Sequence, residues 1–544
     1  MTTPVVVVGA GPVGLMLAGE LRLGGVDVVV LERNVAPSGE SRGLGFTARA
    51  TEVFDQRGLL SRFGTVEVSR GGHFGGIPMD FGVLPGAHFG ARGIPQYRIE
   101  EMLETWTRQQ GASVLRGYEV VDLRPTAAGV AVVADGPAGR VEYEADYVVG
   151  CDGSRSTVRR LGGFEFAGTD ATREMYLADV VGRGIRPRFI GERVAGGMVM
   201  AAPLEDGVDR IIVCERGTPP TESGRHIPFS EVADAWQRLT GESLHGAETR
   251  WVSTFSDATR QATEYRRGRL LLAGDAAHIH LPAGGQGLSL GVQDAANLGW
   301  KLAATVRGGA PDGLLDSYHD ERHPVGARVL RNTLAQGMLY LSGEEIGPLR
   351  TVMTELVAIP DVARHLAGMV SGLDITYDVG RSGHPLLGMR MPDAEVHLPD
   401  GGRTRVADLL HPARGVLISV DEPAATARLA AGWSDRVDVV SARGVGTAPD
   451  GSAAVPGSVL IRPDGYVAWT GSSDAGTPAD GDLSDALRQW FGAPGPVPDS
   501  GSVLDSGSVP DSGSVPDPVP DPVPDPDPDP DRASRSTLTA TFAE

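Results

Sequence analysis

A glycine-rich turn lies between an apolar strand pattern and a helical pattern near the start of the chain. Residues 5–33 read VVVVGAGPVGLMLAGELRLGGVDVVVLER. The β-branched run Val5–Val8 is typical of a parallel strand that is buried on both faces. Gly9, Gly11 and Gly14 form a GxGxxG pattern, in which glycine permits a tight turn, close approach of a pyrophosphate and close packing of the next helix. The order of strand, turn and helix predicts a dinucleotide-binding fold.

The residues after this turn complete the pattern. Helical periodicity over Leu15–Leu23 is followed by a second strand pattern over Val26–Leu31, which ends at Glu32. A carboxylate at this position falls where a ribose hydroxyl is held. It disfavours NADP in this site because it repels a 2′-phosphate. The turn alone does not decide between NAD and FAD.

The chain does not continue with the regular strand and helix alternation of a nicotinamide dehydrogenase. A long glycine-rich stretch follows Arg33, and within it residues 39–43 read GESRG. This segment matches the GxSxG pattern of hydrolases, but no strand pattern directly precedes Ser41. A hydrolase is therefore disfavoured, and Arg42 is interpreted as a contact to a phosphate or cofactor.

Two later segments identify the cofactor. In ADYVVGCDGSRSTVRRLGG, a strand pattern over Tyr147–Gly150 precedes Asp152, and Arg159 follows. In GRLLLAGDAAHIHLPAGGQGLSLGVQDAANLGWKLA, a strand pattern over Leu270–Ala273 precedes Asp275, and a glycine-rich loop over 282–287 leads into a helix. With the first turn, these segments resemble the flavoprotein aromatic hydroxylases of the p-hydroxybenzoate hydroxylase type. The resemblance implies that the chain binds FAD.

The resemblance also implies a set of cofactor contacts. Asp275 is expected to accept from the ribityl chain, and the backbone of the 282–287 loop is expected to lie at the flavin ring edge. The positive end of the following helix then faces the ring, where negative charge gathers on reduction. The family often has Met-Asn-Thr after this loop, whereas residues 288–290 read LSL. The cofactor-binding residues expected in all are Gly9, Gly11, Gly14, Glu32, Arg33, Arg42, Gln96, Asp275, Pro282, Gly285, Gln286, Gly287 and Leu288.

Several polar residues of these segments have a second interpretation. Asp275 is expected either to bind the cofactor or merely to cap a turn. Asp152 is expected either to cap the helix after it or to contact the cofactor, or to do both. His278 and His280 form an HxH pair, but no third ligand stands nearby in the sequence, so no metal site is predicted. No residue stands out as a general base, and no catalytic residue is assigned.

Segments in the middle of the chain indicate a more specific group within this family. Segments such as FGGIPMDFGVL, GGMVMAAPLEDGVDRIIVCERGTPP and HLAGMVSGLDITYDVG resemble hydroxylases of angucycline polyketides in actinomycetes. The implied fold is α/β, with a Rossmann-like FAD-binding domain, an inserted β-sheet substrate domain and a C-terminal thioredoxin-like domain. No cysteine follows Cys214, so the C-terminal domain is expected to be structural or to aid association. The expected boundaries are 1–169 and 269–389 for the FAD-binding domain with a helical region, 170–268 for the substrate domain, 390–492 for the thioredoxin-like domain and 493–544 for a disordered tail.

The resemblance implies a reaction as well. Hydroxylases of this type take hydride from NADPH, which binds transiently, and use O2 to form a flavin C4a-hydroperoxide that hydroxylates a phenol. The expected substrate is an angucyclinone-type polycyclic phenol. A Baeyer–Villiger oxygenase, an FAD-dependent dehydrogenase or reductase, and a non-catalytic flavoprotein stay open as alternatives.

Composition excludes several other classes. The net charge of −21 over 544 residues argues against a nucleic-acid partner, because a polyphosphate backbone would repel the protein. No apolar run reaches membrane-spanning length, so a cytoplasmic protein is expected. With two cysteines in the chain, a disulfide framework is excluded. The end of the chain alternates Pro and Asp and is expected to be a solvated extension, since it cannot form a core.

Overall fold

A computed structural model describes residues 1–37, 39, 41–65, 67–68, 70–84, 91–204, 207–220, 225–420, 423–446, 457–471 and 480–496. The tail predicted from the Pro/Asp repeat lies outside these residues from 497 onward.

The strands are β1 (Thr2–Val8), β2 (Val28–Glu32), β3 (Leu44–Phe46), β4 (Glu67–Val68), β5 (Gly71–Phe74), β6 (Ile77–Asp80), β7 (Ala91–Pro95), β8 (Ser113–Arg116), β9 (Glu119–Pro125), β10 (Val130–Gly136), β11 (Gly139–Gly150), β12 (Phe166–Thr169), β13 (Glu174–Val181), β14 (Arg188–Val194), β15 (Gly197–Pro203), β16 (Val208–Glu215), β17 (Thr249–Ser256), β18 (Thr259–Ala262), β19 (Arg266–Arg267), β20 (Leu270–Leu272), β21 (His278–Ile279), β22 (Glu395–His397), β23 (Arg403–Arg405), β24 (Gly415–Ser419), β25 (Val437–Ser441), β26 (Gly444–Val445), β27 (Ser458–Ile461) and β28 (Val467–Thr470). The helices are α1 (Pro12–Leu23), α2 (Ala48–Asp55), α3 (Gln96–Gln109), α4 (Thr157–Leu161), α5 (Phe229–Thr240), α6 (Gln286–Val306), α7 (Ser317–Leu341), α8 (Gly347–Val357), α9 (Pro360–Ser371), α10 (Val406–Leu409), α11 (Pro423–Ala430) and α12 (Asp480–Phe491).

The main sheet is built on β1. Its strands run in the order β19, β20, β11, β1, β2, β8, and β10 and β9 continue from β11 as an antiparallel extension. β1 pairs in parallel with β11 and β2, and Val5–Val8 form the fully buried centre of the sheet. The central strands therefore end at one edge, which is where an open α/β sheet binds its ligand.

Three boundaries of helices and strands differ from the sequence expectations. β2 begins at Val28 instead of Val26, and α1 already begins at Pro12, a residue whose fixed φ suits the first helical position. α6 begins at Gln286, inside the segment that was expected to be a loop. Gln286 and Gly287, which were expected to belong to the loop, therefore lie in the first turn of α6.

A second, middle sheet packs against α5. Its five antiparallel strands run in the order β14, β15, β16, β13, β17. One face forms a core with α5, centred on the fully buried Trp236. The other face contributes Met175 and Met198 to a separate apolar cluster, which is described with the proposed function.

The C-terminal sheet has the order β25, β24, β27, β28, with β24 and β25 parallel and the other pairs antiparallel. Its core includes Trp433 and Phe491, and Trp300 of α6 belongs to the same cluster. The C-terminal sheet is therefore packed directly onto the helices of the main sheet. Within the described part of the chain, no helix combines the length and the hydropathy needed to cross a membrane.

Candidate FAD site

A cleft lies at the carboxyl ends of β1, β2 and β11. Its volume is about 310 Å³. The walls come from the first glycine-rich turn, from the segment after β11 and from the start of α6. Of the residues expected from the sequence, it is lined by Gly9, Gly11, Glu32, Arg33, Gln96, Asp275, Gly287 and Leu288.

The glycines of the first turn have three different surroundings. Gly9 has a φ of 104°, and its N–H donates to the carbonyl of Leu31 at 2.8 Å. A Cβ on Gly14 would lie 2.0 Å from the carbonyl oxygen of Gly9, so only glycine lets α1 approach the turn so closely. A Cβ on Gly11 would meet nothing within 4 Å. The open space at Gly11 is where a pyrophosphate can approach the backbone.

The carboxylate of Glu32 is bound by the main chain on both sides. One oxygen accepts from the N–H of Ala10 and the other from the N–H of Asn34, each at 2.9 Å. The carbonyl of Glu32 accepts from the N–H of Tyr118 at 2.8 Å, which brings residues 118–120 to the cleft wall. The sequence analysis missed residues 118–120. The available signal was that a strand beside β2 ends at the same edge of the sheet.

Asp152 performs the capping role expected of it. Its Oδ2 accepts from the N–H groups of Thr157 at 2.6 Å and Val158 at 3.1 Å, at the start of α4. Its Oδ1 is buried and has no hydrogen-bond partner among the described residues. Burial raises the pKa of the Asp152 carboxyl, against the lowering effect of hydrogen bonds from the Ser156 side chain and from the main chain. Asp152 therefore holds the start of α4 at the cleft wall.

Asp275 lies in a 3₁₀ turn over Gly274–Ala276. Its side chain is exposed to the cleft, and the protein packed around it raises the pKa of the carboxyl by desolvation. His278 and Arg42 act in the opposite direction, so Arg42 lies close enough to influence Asp275. The carbonyl of Ala276 accepts from Nη1 of Arg159 at 2.9 Å, which ties the turn to the segment after β11.

The loop around Arg42 is held by side-chain and main-chain hydrogen bonds. The hydroxyl of Ser41 donates to the carbonyl of Gly43 at 3.0 Å and accepts from the N–H of Gln96 at 2.6 Å. The Gln96 side-chain oxygen accepts from the N–H of Gly43 at 3.3 Å. Ser41 therefore has a structural role, in agreement with the rejection of a hydrolase, and Gln96 attaches this loop to α3.

The glycine-rich loop before α6 ends in two residues with left-handed backbone. Gly284 has a φ of 73° and Gly285 a φ of 66°, which terminate a 3₁₀ turn over Ala283–Gly285 and allow α6 to begin at Gln286. The first N–H groups of a helix have no partner within the helix and carry partial positive charge. This end of α6 is therefore able to bind electron-rich atoms.

Three of the residues expected in this loop are not in the cleft wall. The Gln286 side chain points into the protein, where its Nε2 donates to the carbonyl of Ala283 and its Oε1 accepts from Asn332, both at 3.1 Å. Pro282 and Gly285 are exposed and do not line the cleft. Arg42 and Gly14 also lie outside the lining. Contact with the cofactor stays a prediction for these five residues and for the eight that line the cleft.

Each histidine of the HxH pair contacts another group of the protein. The Nε2 of His278 is 2.7 Å from Oδ2 of the buried Asp294, and His280 Nδ1 is 2.8 Å from the carbonyl of Leu281. Burial lowers the pKa of His280 to about 4, so its ring is neutral near pH 7. No group of three metal-ligating side chains occurs in the part of the chain that the structure describes.

The cleft fits a flavin dinucleotide by three features. The backbone is open at Gly11, the Asp275 side chain is exposed to the cleft, and the N-terminal turn of α6 lines the cleft at Gly287. These features offer sites for a pyrophosphate, a hydroxyl-bearing chain and an electron-rich ring.

Comparison with known families decides the identity of the ligand. Residues 2–333 match the family described as an FAD binding domain, and residues 384–494 match the family described as an aromatic-ring hydroxylase C-terminal domain. The chain belongs to the FAD-dependent aromatic hydroxylases. This confirms the expected cofactor and the expected α/β fold class with an FAD-binding domain and a C-terminal domain.

Several relatives of this hydroxylase are monooxygenases. It is 44% identical over 512 residues to the 12-dehydrotetracycline 5-monooxygenase/anhydrotetracycline 6-monooxygenase of Streptomyces rimosus, with coverage of 91% of this chain and 100% of that protein. It is also similar to the solved structure of CabE, an aromatic hydroxylase from angucycline biosynthesis (58% identity, TM-score 0.85, coverage 90% and 99%). A further similar structure is BexE, studied for oxidation during BE-7585A biosynthesis (57% identity, TM-score 0.84, coverage 91% and 100%). The hydroxylase is therefore an FAD-dependent monooxygenase.

The role of Asp275 can be tested by its removal. We expect Asp275→Ala to weaken FAD binding by roughly 1.5 to 3 kcal/mol, the range for a hydrogen bond to a charged group. FAD titration of the apoprotein measures the dissociation constant. The control is Asp378→Ala, which removes an exposed carboxylate that accepts from the N–H of Gly380. An unchanged dissociation constant for Asp275→Ala would show that this carboxylate does not bind the cofactor.

Proposed function

We propose that this monooxygenase uses NADPH and O2 to hydroxylate an angucyclinone-type polycyclic phenol. The observation that carries the proposal is an apolar, methionine-rich wall on the middle sheet, packed against the loop that leads into α6. When bound, FAD supplies the activation of O2 with electrons taken from NADPH. The chain itself has to bind a flat aromatic molecule beside this loop and to exclude water.

The methionine wall comes from three adjacent strands of the middle sheet. Met175 on β13, Met198 on β15 and Cys214 on β16 are buried in one cluster with Leu281 and Ala283. Methionine side chains are flexible and polarizable, and they make favourable contacts with aromatic rings. Leu281 and Ala283 immediately precede the α6 N-terminus, which lines the FAD cleft. Met200 on β15 is partly buried and packs against the same cluster, and a polycyclic substrate bound at its remaining surface would lie next to the expected flavin ring.

The cysteine of this wall is chemically inert. Burial raises the pKa of Cys214 to about 11, so the thiol stays protonated near pH 7. A neutral thiol behaves as a small apolar group. Cys214 therefore brings no nucleophile to the substrate.

Two arginines beside this wall, Arg193 and Arg350, are engaged by the main chain. Arg193 donates to the carbonyls of Leu339 at 3.0 Å and Tyr340 at 2.8 Å, at the end of α7. Arg350 donates to the carbonyls of Gly75 at 2.6 Å and Leu339 at 2.8 Å. Because these guanidinium groups hold the end of a helix, they are not presented as a clamp for the carboxylate of a small benzoate.

The relatives support the same class of substrate. CabE, named as an aromatic hydroxylase from angucycline biosynthesis, is 58% identical to this chain, whereas the tetracycline monooxygenase is 44% identical. The higher similarity favours an angucyclinone over a tetracycline skeleton. No side chain is assigned as a general acid or base.

An isotope experiment tests the proposal. The purified protein with FAD is given ¹⁸O2 and NADPH with a tetracyclic phenol, with a benzoate, or with no substrate, and a parallel series contains NADH. We expect the tetracyclic phenol to stimulate NADPH oxidation and to gain one labelled hydroxyl group. The benzoate is expected to behave like the reaction without substrate.

Each of the other outcomes contradicts a different part of the proposal. Hydroxylation of the benzoate but not of the tetracycle would refute the substrate class. A labelled oxygen inside a ring, seen by NMR, would identify a Baeyer–Villiger reaction. A product without label would refute monooxygenation of this substrate, and faster turnover with NADH would refute the assignment of NADPH.

A further inference from the structure

The turn that carries Asp275 is fixed at both ends by one buried carboxylate. Oδ2 of Asp294, on α6, accepts from the N–H of Gly274 at 3.2 Å, and it lies 2.7 Å from Nε2 of His278. Gly274 directly precedes Asp275, and His278 follows it by three residues. The side chains of Asp294 and His278 are almost completely inaccessible to solvent.

Asp294 also belongs to the helix whose first turn lines the cleft. Gly287 and Leu288 lie at the start of α6, and Asp294 lies about two turns further along the same helix. Its contacts with Gly274 and His278 therefore connect the Asp275 turn to α6. The two elements expected to contact the ribityl chain and the flavin ring are held in one relative position by this carboxylate.

The charge of Asp294 is balanced by an arginine on α7. Nε of Arg322 donates to Oδ1 of Asp294 at 2.7 Å, and neither side chain is exposed. Burial alone would raise the pKa of Asp294, but the nearby Arg322 and His278 hold it below its usual value. Arg322 also donates to the carbonyl of Leu290 on α6 at 3.2 Å. Asp294 is thus a carboxylate that stays charged and has little freedom to rotate.

Arg322 is in turn oriented by an aromatic pair that leads to the C-terminal sheet. Its Nη1 donates to the hydroxyl of Tyr377 at 2.9 Å. The Tyr377 ring lies 4.3 Å from the ring of Tyr466, measured between centroids, and Tyr466 directly precedes β28. Arg462, at the end of β27, lies over the same Tyr377 ring at 5.3 Å. The contacts are continuous from the C-terminal sheet to the Asp275 turn.

We propose that His278, Asp294 and Arg322 are positioning residues for FAD, and that Tyr377 and Tyr466 connect the C-terminal domain to them. The thioredoxin-like domain then has a role in cofactor binding that needs no cysteine. The hydrogen-bonded partners of a binding residue commonly fix its orientation, as is well documented for metal ligands. The inference concerns FAD binding alone and does not depend on the identity of the substrate.

The first test compares three variants by FAD titration of the apoprotein and by urea unfolding of the same apoprotein. His278→Phe removes the contact with Asp294, and we expect it to raise the FAD dissociation constant about tenfold, which corresponds to one lost hydrogen bond. His278→Gln keeps an N–H donor, and its FAD dissociation constant is expected to stay within about threefold of the wild-type value. Tyr377→Phe removes only the hydroxyl that orients Arg322 and is expected to weaken binding by about threefold.

A matched control is available in the middle sheet. Tyr176 is a buried tyrosine whose hydroxyl donates to Glu231 at 2.7 Å, so Tyr176→Phe also removes one hydroxyl hydrogen bond. We expect this variant to lose stability without any change in the FAD dissociation constant. If Tyr377→Phe behaves in the same way, the connection to the C-terminal domain is only structural and the proposal is overturned.

A double-mutant cycle separates positioning from general packing. If His278 acts on FAD through the Asp275 turn, His278→Phe should change the dissociation constant by less than about twofold when Asp275 is already replaced by Ala. An effect as large as in the wild-type background would show that His278 does not act through Asp275. Loss of unfolding free energy without weaker FAD binding would also contradict the proposal.

Discussion

Replacement of Glu321 by Gln is expected to lower the free energy of unfolding by about 3 to 5 kcal/mol, the cost of breaking a buried ion pair from one side. The Glu321 carboxylate accepts from Nη1 of Arg462 at 2.6 Å, from Nη2 of Arg462 at 2.8 Å and from Nζ of Lys301 at 2.8 Å. Arg462 and Lys301 have no exposed side-chain surface. In Glu321→Gln, both cations would stay buried with less compensating charge.

The pKa values of Lys301 and Glu321 show how strongly the charges in this cluster depend on one another. Burial lowers the pKa of Lys301 to about 8, although Glu321 acts to raise it. Removal of the Glu321 charge therefore lowers the Lys301 pKa further. For Glu321 itself, burial acts to raise the pKa, but Arg462 and Lys301 hold it far below the ordinary value of 4.5. Its contribution to stability is consequently present above pH 4.5 and is lost as the pH falls below that value.

Urea unfolding of the FAD-free protein measures the change, with Glu215→Gln as the control. Glu215 accepts two hydrogen bonds from Arg238, at 2.8 and 2.7 Å, but the Arg238 side chain is 56% exposed. The control is expected to cost about 0.2 to 1 kcal/mol, as surface pairs do. Below pH 4.5 the wild type should approach the stability of Glu321→Gln. If Glu321→Gln and Glu215→Gln lost equal unfolding free energy at pH 7, burial of the ion pair would not determine the cost of breaking it.

The local chemistry of the FAD site could be predicted from the sequence. Gly9, Gly14 and Glu32 are informative because a turn, a close helix contact and a carboxylate at a strand end each require a particular residue type at a particular spacing. The approximate start of α6 and the position of Asp275 after β20 follow from the same kind of local signal. The expected start of α6, after residue 287, was two residues too late because two left-handed glycines end the preceding turn earlier than the glycine pattern implied.

The contacts that support the site could not be predicted in this way. Glu321 and Arg462 are 141 residues apart, and Arg322 and Tyr377 are 55 residues apart. No periodicity or turn signal specifies such pairs, because they depend on how the C-terminal sheet packs against α6 and α7. The Gln286 side chain shows the same limit, since its neighbour Asn332 belongs to α7 and directs it away from the cleft. A glycine-rich motif identifies the backbone that faces the ligand but not the side chains that point elsewhere.

Gly14→Ala and Gly11→Ala are expected to have different consequences although they change the same motif by one methyl group. In Gly14→Ala, the added Cβ would lie 2.0 Å from the Gly9 carbonyl oxygen and 3.2 Å from Cβ of Cys151. Because a main-chain carbonyl cannot rotate away, α1 has to shift, and we expect a loss of about 3 kcal/mol in unfolding free energy, the upper part of the range for overpacking. The shifted helix also disrupts the turn, so FAD binding should fall by at least about 100-fold.

Gly11→Ala meets no such obstacle in the protein. Gly11 has a φ of −76° and a ψ of 179°, which alanine adopts without strain, and its Cβ would enter the open cleft. The apoprotein should therefore be as stable as the wild type, or more stable by about 0.4 to 1 kcal/mol, because alanine restricts the unfolded chain. FAD binding should still weaken, since the methyl group occupies the space through which a pyrophosphate reaches the backbone. Urea unfolding and FAD titration of both apoproteins distinguish these effects. Wild-type FAD affinity in Gly11→Ala would exclude a close approach of the pyrophosphate at this glycine.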